Sequence, residues 1–160
     1  MVGYKGSKEE FVQSYLDGHV NFNPFWPHVL DFWQIRNRPQ IFFTSYERMK
    51  CDLSGVIREV CKFLDKTIND QQLAQLVDHL SFDKMKNNPS CNHIKEFESM
   101  RAAAGREVAD FNFVRRGVVG SHKDELPLKV INEFDEWIYE NLNAHDLSVN
   151  DFTSYSKYQN

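Results

Sequence analysis

The chain has 160 residues, 41% of them hydrophobic, with thirteen Phe, six Tyr and three Trp to fill a core. A formal charge of −4, with lysines and arginines interspersed among acids, argues against a nucleic-acid partner, which would want a broad basic surface. No run reaches the roughly 18 apolar residues of a membrane span, and the opening MVGYKGSKEEF lacks the apolar stretch of a signal peptide.

The first element announces itself by its cap. Ser7 is followed three residues later by Glu10, the reciprocal pattern of a capping box. Phe11/Tyr15 and Val12/Leu16 then repeat at four-residue spacing until Gly18, which predicts a short amphipathic helix. NFNPFWP is an aromatic loop broken by proline, and HVLDFWQIRNR after it reads as a helix that ends before Pro39. IFFTSY, Ile41 to Tyr46, is a short β-branched and aromatic run that reads as a strand buried on both faces as in a parallel sheet.

From Asp52, a plausible N-cap, the apolar series Leu53, Val56, Ile57, Val60 and Leu64 predicts a helix. A second begins near Asn69, with Leu73, Leu76, Val77 and Leu80 on one side, and Ser81 can cap a third that closes before Pro89. Ser90 to Asn112 is weakly patterned and reads as a long loop with some helical turns. The last clear helix opens at Pro127, a good first-turn residue, and carries Val130, Ile131, Phe134, Trp137, Ile138 and Leu142; the tail from Ser148 is polar.

One strand among five or six helices is an incomplete arrangement. A lone buried strand cannot satisfy its own amides and carbonyls. The chain therefore reads as part of an α/β domain, mostly helical, whose other strands lie elsewhere. No repeat or linker divides it, so residues 1–160 are taken as a single partial domain. The three cysteines, Cys51, Cys61 and Cys91, form no CxxC pair and read as reduced thiols of a cytosolic protein; the six histidines lack metal-site spacing, and no metal is expected.

The chemistry is concentrated in FVRRGVVGSHK, Phe113 to Lys123. Arginine forks match phosphate or sulfate oxygens two at a time, and Gly117 and Gly120 let the backbone take positive φ and approach a ligand. The loop reads either as a grip for a compact anion such as a nucleotide phosphate or as a solvated turn whose arginines pair with nearby acids.

The ordered series TSYERMKCDL, FLDKTI, LSFDKMKNNPSCN and FVRRGVVGSHK, followed by an amphipathic EFDEW helix, resembles the C-terminal half of the cytosolic sulfotransferases from about Gly3 to about Leu142. The resemblance implies the C-terminal part of a P-loop-type three-layer αβα fold. It implies transfer of a sulfuryl group from 3′-phosphoadenosine 5′-phosphosulfate (PAPS) to a small-molecule phenol, alcohol or amine in the cytoplasm. By the same resemblance Arg115, Arg116 and Gly117 hold the donor's 3′-phosphate, with Arg116 where lysine is usual. Phe113 and Val114 neighbour the nucleotide. Tyr46 touches the adenine, and Leu80, Ser81, Phe82 and Met85 line its side. Phe22 and His93 border the acceptor pocket.

Two departures accompany the likeness. Ser121 and His122, after the second loop glycine Gly120, stand where relatives read D-W before the shared Lys123, and the family's short dimer motif keeps Lys123 but has Pro127, Leu128 and Asn132 elsewhere. No stretch resembles the family's phosphate loop, so the catalytic histidine and the lysine for the 5′-phosphosulfate are expected upstream of Met1. Two functions stay open: a PAPS-dependent sulfotransferase whose adenosine side lies here, or a catalytically inactive remnant acting as an interaction module or weak nucleotide binder.

Overall fold

A computed structural model describes residues 6–103, 105 and 114–158. Among them the elements are all helical: α1 (Lys8–Leu16), α2 (Phe25–Gln34), α3 (Tyr46–Cys51), α4 (Leu53–Phe63), α5 (Asp70–His79), α6 (Phe82–Asn87), α7 (Pro89–Asn92), α8 (Ile94–Ala103), α9 (His122–Glu125), α10 (Leu128–Asn143) and α11 (Val149–Thr153). They fall into two compact units, one taking in Asn69–Val118, the other Ser7–Ile68 and Val119–Asn160.

In the larger unit the caps do what the sequence predicts. Ser7 Oγ accepts from the Glu10 amide at 3.1 Å while Glu10 Oε2 accepts from the Ser7 amide at 2.7 Å. Asp52 Oδ1 accepts from the Gly55 amide at 2.8 Å to start α4. Trp26, Leu30 and Trp33, spaced along one face of α2, meet Leu142 of α10 and Phe152 of α11 in a buried cluster. Trp33 and Phe152 lie 4.6 Å apart, centroid to centroid. Burying such side chains is worth about 1.5–3 kcal/mol each and makes this cluster the unit's main stabilising feature. Phe152 sits in what reads as a polar tail; Ser148 and Asp151 form a capping box that starts α11 and carries the ring inward.

The predicted strand is where sequence and structure part. Ile41–Ser45 is not a strand among the described residues, and Tyr46 already belongs to α3, capped by Ser45 Oγ on the Arg48 amide at 3.1 Å. Side chains are sandwiched on both sides, as a central strand's would be. Phe42 packs against Phe63 and Tyr158 at 5.5 and 6.3 Å, and Phe43 against Trp33 and Tyr155 at 5.4 and 6.0 Å. The backbone is what fails the definition: the amides of Phe42, Phe43 and Thr44 have no backbone partner among the described residues, and Thr44 Oγ1 is buried without one. A strand needs a neighbour, and none lies within reach among the described residues.

The tail after α11 straps both sides of this run. Tyr155 donates to Asn37 Oδ1 at 2.8 Å, Lys157 Nζ donates to the Arg38 carbonyl at 2.8 Å, and Ser156 Oγ donates to Glu59 Oε1 at 2.7 Å. Glu59 in turn accepts a two-pronged pair from Arg48, both bonds 2.6 Å, joining α3 to α4 with the two side chains 9% and 13% exposed.

The smaller unit corrects a second expectation. Ser90 to Asn112 is not a long loop with isolated turns as far as Ala103, since α7 and the ten-residue α8 occupy 89–92 and 94–103. The pattern is weak because α8 buries no residue fully. A buried asparagine begins it instead: Asn92 Oδ1 accepts from the Ile94 amide at 3.2 Å, and its Nδ2 donates to the Lys86 carbonyl at 3.0 Å. Ser81 caps α6 as predicted, and α5 begins where expected, with Asn69 and Gln72 forming a capping box.

Two outcomes are expected. Burial alone would raise the Glu59 carboxyl, but hydrogen bonds from Arg48 and Ser156 outweigh it and hold the group below its ordinary value. A depressed folded value means stability present above the unfolded value of about 4.3 and lost as pH falls through the folded one. Glu59→Gln should therefore lose about 3 kcal/mol near neutral pH and show a shallower acid limb in urea titrations; an unchanged limb would remove the pair from the fold's support. Native-state hydrogen exchange should find the amides of Phe42, Phe43 and Thr44 at least roughly a hundredfold faster than those of Val56 and Ile57 in α4. Equal protection would mean that the run is paired after all.

Candidate functional site

Eleven of the residues singled out in the sequence divide between the two units, and one lies outside the described residues. The smaller unit holds Leu80, Ser81, Phe82, Met85, His93, Val114, Arg115, Arg116 and Gly117. The larger holds Phe22 and Tyr46. Phe113 lies outside the described residues.

In the smaller unit one short turn puts four of them together. Leu80 closes α5, its amide bonded to the Leu76 carbonyl at 2.9 Å, and Ser81 opens α6 with its hydroxyl accepting from the Lys84 amide at 3.4 Å. Phe82 is therefore the first helical residue of α6, with Met85 one turn on. Leu80 and Met85 are both partly open to solvent, at 39% and 38%.

The contact that organises the loop lies between Gly117 and Phe82. Gly117 has φ +63°, and a Cβ built on it would fall within the Phe82 ring, closest to Cδ2 and Cε2 with Cγ at 3.0 Å. Glycine is required here on two counts: the left-handed backbone and the ring that occupies the side-chain position. Arg115 and Arg116, immediately before, are exposed, and both engage other groups of the protein. The arrangement presents two permanent cations beside an aromatic ring and a helix start, chemistry suited to a phosphate ester attached to a planar base.

His93 adopts φ +50°, a left-handed conformation rare outside glycine, between the helix that Asn92 ends and the one it caps. It is exposed. Asn92 itself escaped the sequence reading as a site-shaping residue; its only trace there is the N-P…N pattern. In the larger unit Tyr46 is the first residue of α3 and 45% exposed, while Phe22, at φ +70° before the cis Asn23–Pro24 bond, is almost wholly exposed. No group of three or more His, Cys, Asp or Glu among the described residues is placed to hold a metal ion, and no helix of the described residues is long and apolar enough to cross a membrane.

The comparisons with known proteins agree on one family. The sulfotransferase domain family matches residues 1–146. The chain belongs to the sulfotransferase family. It is 35% identical to luciferin sulfotransferase of Photinus pyralis over 142 residues, covering 89% of this chain and 38% of that protein. Among solved structures it is similar to retinol dehydratase in complex with androsterone and the inactive cofactor PAP (TM-score 0.80, 27% identity, 93% of this chain and 42% of that one). It also resembles mouse sulfotransferase SULT7A1 complexed with PAP (TM-score 0.69, 26% identity, 90% and 50%). The sulfotransferase chain thus spans roughly two fifths to half the length of these relatives, and its helices belong to the C-terminal part of the αβα sulfotransferase fold.

Two glycines of the loop separate the causes just given. Gly120, at φ +77° with nothing within 4 Å of a Cβ, should lose about 1 kcal/mol on substitution by alanine. Gly117→Ala meets the same backbone penalty and the Phe82 ring, and should lose about 3 kcal/mol by chemical denaturation. Equal losses at the two positions would mean that the ring yields freely.

Proposed function

We propose that this chain forms the adenosine and 3′-phosphate side of a sulfotransferase site that uses PAPS as sulfuryl donor. Arg115 and Arg116 bind the 3′-phosphate, with the Gly117 amide close by. Leu80, Ser81, Phe82 and Met85 flank the adenine, Tyr46 touches it, and Phe113 and Val114 neighbour the nucleotide. The observation that carries the reading is the seat of the arginine loop on the Phe82 ring, which joins a dianion grip to an aromatic surface within one unit. The PAP-bound relatives support it.

The acceptor is a small-molecule phenol, alcohol or amine, and Phe22 and His93 border its pocket. Relatives named for luciferin and solved with androsterone support a small organic acceptor. Sulfuryl transfer needs a base for the acceptor hydroxyl and a cation for the transferring group. No stretch of these 160 residues matches the family's phosphate loop, so the chain is assigned donor binding and not the transferring step. The family dimer motif is replaced at Pro127, Leu128 and Asn132, and no dimer is assigned to it. We place the protein in the cytoplasm.

The direct test is nucleotide binding by the purified chain. Ligand bound only by the folded state must raise Tm, so 3′,5′-ADP should do so in proportion to its affinity. Arg115→Ala and Arg116→Ala should each weaken binding about tenfold, the loss of one charge-assisted contact. The reading falls if calorimetry gives the same affinity for both variants as for the unaltered chain.

A further inference from the structure

We propose that Phe82 is a positioning residue for the arginine loop, so that phosphate recognition depends on this ring even when no base is bound. The inference rests on the nucleotide reading above and adds a role to a residue assigned there only to the adenine side.

A glycine is the freest point of any loop, since no side chain anchors it and both signs of φ are open. Gly117 lies next to the two arginines that would meet the anion, and its freedom alone would let them wander. The structure shows what limits it. The Cδ2–Cε2 edge of Phe82 occupies the volume where a Gly117 side chain would be, so the backbone at 117 cannot advance on that side.

The ring is itself held from behind. Phe82 is the first residue of α6, and the Met85 amide bonds back to the Ser81 carbonyl at 3.0 Å. The far end of α6 is tied by Asn92, whose buried amide group donates to the Lys86 carbonyl while its oxygen caps α8. A series of fixed contacts thus runs from Asn92 through α6 and Phe82 to Gly117, and ends at Arg115 and Arg116. Holding guanidinium groups near their bound geometry lowers the ordering cost of binding, and that gain is independent of what the phosphate is attached to.

A ring that only flanks adenine and a ring that also braces the loop differ on one measurable point. The experiment titrates the full chain with 3′,5′-ADP and, separately, with inorganic pyrophosphate, which carries anionic charge and no base. Phe82→Leu should weaken both ligands, pyrophosphate by about fivefold or more. Phe82→Tyr, which keeps the ring edge, should restore pyrophosphate binding to within about twofold. Thermal melts establish that each variant is folded. If Phe82→Leu does not fold, Gly117→Ala displaces the same contact from the loop side and should reproduce the pyrophosphate loss. Normal pyrophosphate affinity in a Phe82→Leu chain that has lost 3′,5′-ADP overturns the proposal and leaves the nucleotide reading standing. If the unaltered chain binds neither ligand, or Arg116→Ala weakens neither, the nucleotide reading is what fails, and this role for Phe82 fails with it.

Discussion

An extended backbone whose side chains pack on both faces still has to find partners for its amides and carbonyls, and Ile41–Ser45 is arranged around that demand. Phe42 meets Phe63 and Tyr158, and Phe43 meets Trp33, Phe152 and Tyr155. The side-chain half of a central strand's requirements is therefore met by α2, α4 and the tail, while Phe42–Thr44 find no ladder among the described residues. Backbone groups without partners are expensive where water is kept out, and this run is half-buried between the rings on either side. The C-terminal strap follows from this: Tyr155 reaches Asn37 beyond one face and Ser156 reaches Glu59 beyond the other. Phe152 and Tyr155 then belong to the same structural device as Trp33 and Phe43.

The smaller unit solves a different problem with the same means. Its important backbone point, Gly117, is constrained by a ring it does not own. Packing an aromatic edge against a glycine gives a rigid contact without a side chain of its own to shield the neighbouring amide groups, which suits the anion approach proposed for this loop. Arginine at 116 fits that setting. Its planar fork offers two parallel donors, whereas an ammonium offers a point charge. Arg115 and Arg116 are both exposed, and both engage other groups of the protein.

Four helix starts were legible because capping is local. Ser7, Asp52, Asn69 and Ser81 each sit directly before the helix they begin, and the chemistry needs only three residues of context. What the sequence hid is non-local or lacks periodicity. α3 was masked by the β-branched run before it, since Tyr46 reads as easily as the end of IFFTSY as the start of YERMKC. α8 has little amphipathic signal and is begun by Asn92 through a contact with Lys86. α11 contributes one buried ring, and one phenylalanine in a polar tail carries no pattern. The Arg48–Glu59 pair spans eleven residues and the Gly117–Phe82 contact thirty-five, and nothing in either local stretch foretells them. The motif resemblance did bring the arginine loop and LSFDKMK into one reading, but as two sides of a ligand and not as two parts in contact.

The arginine loop and the stretch that follows it lie in different units, and each answers to its own constraint. Ser121, His122, Pro127, Leu128 and Asn132 all lie in the larger unit, which resumes at Val119, whereas Arg115, Arg116 and Gly117 lie in the smaller one with Leu80–Met85. Ser121–Lys123 lead into the short helix α9, where the Lys123 amide bonds to the Gly120 carbonyl at 3.1 Å. Pro127 sits at the N-cap of α10, the helix that delivers Val130 and Leu142 to the core. A proline there fixes φ and forgoes an amide that the helix start would leave unbonded anyway. Leu128 next to it is 72% exposed, so this substitution neither adds to the core nor disturbs it. Residues after the loop serve to start two helices. Those within it answer to a narrower constraint, a ring packed where a side chain would be, and at 117 only glycine meets it.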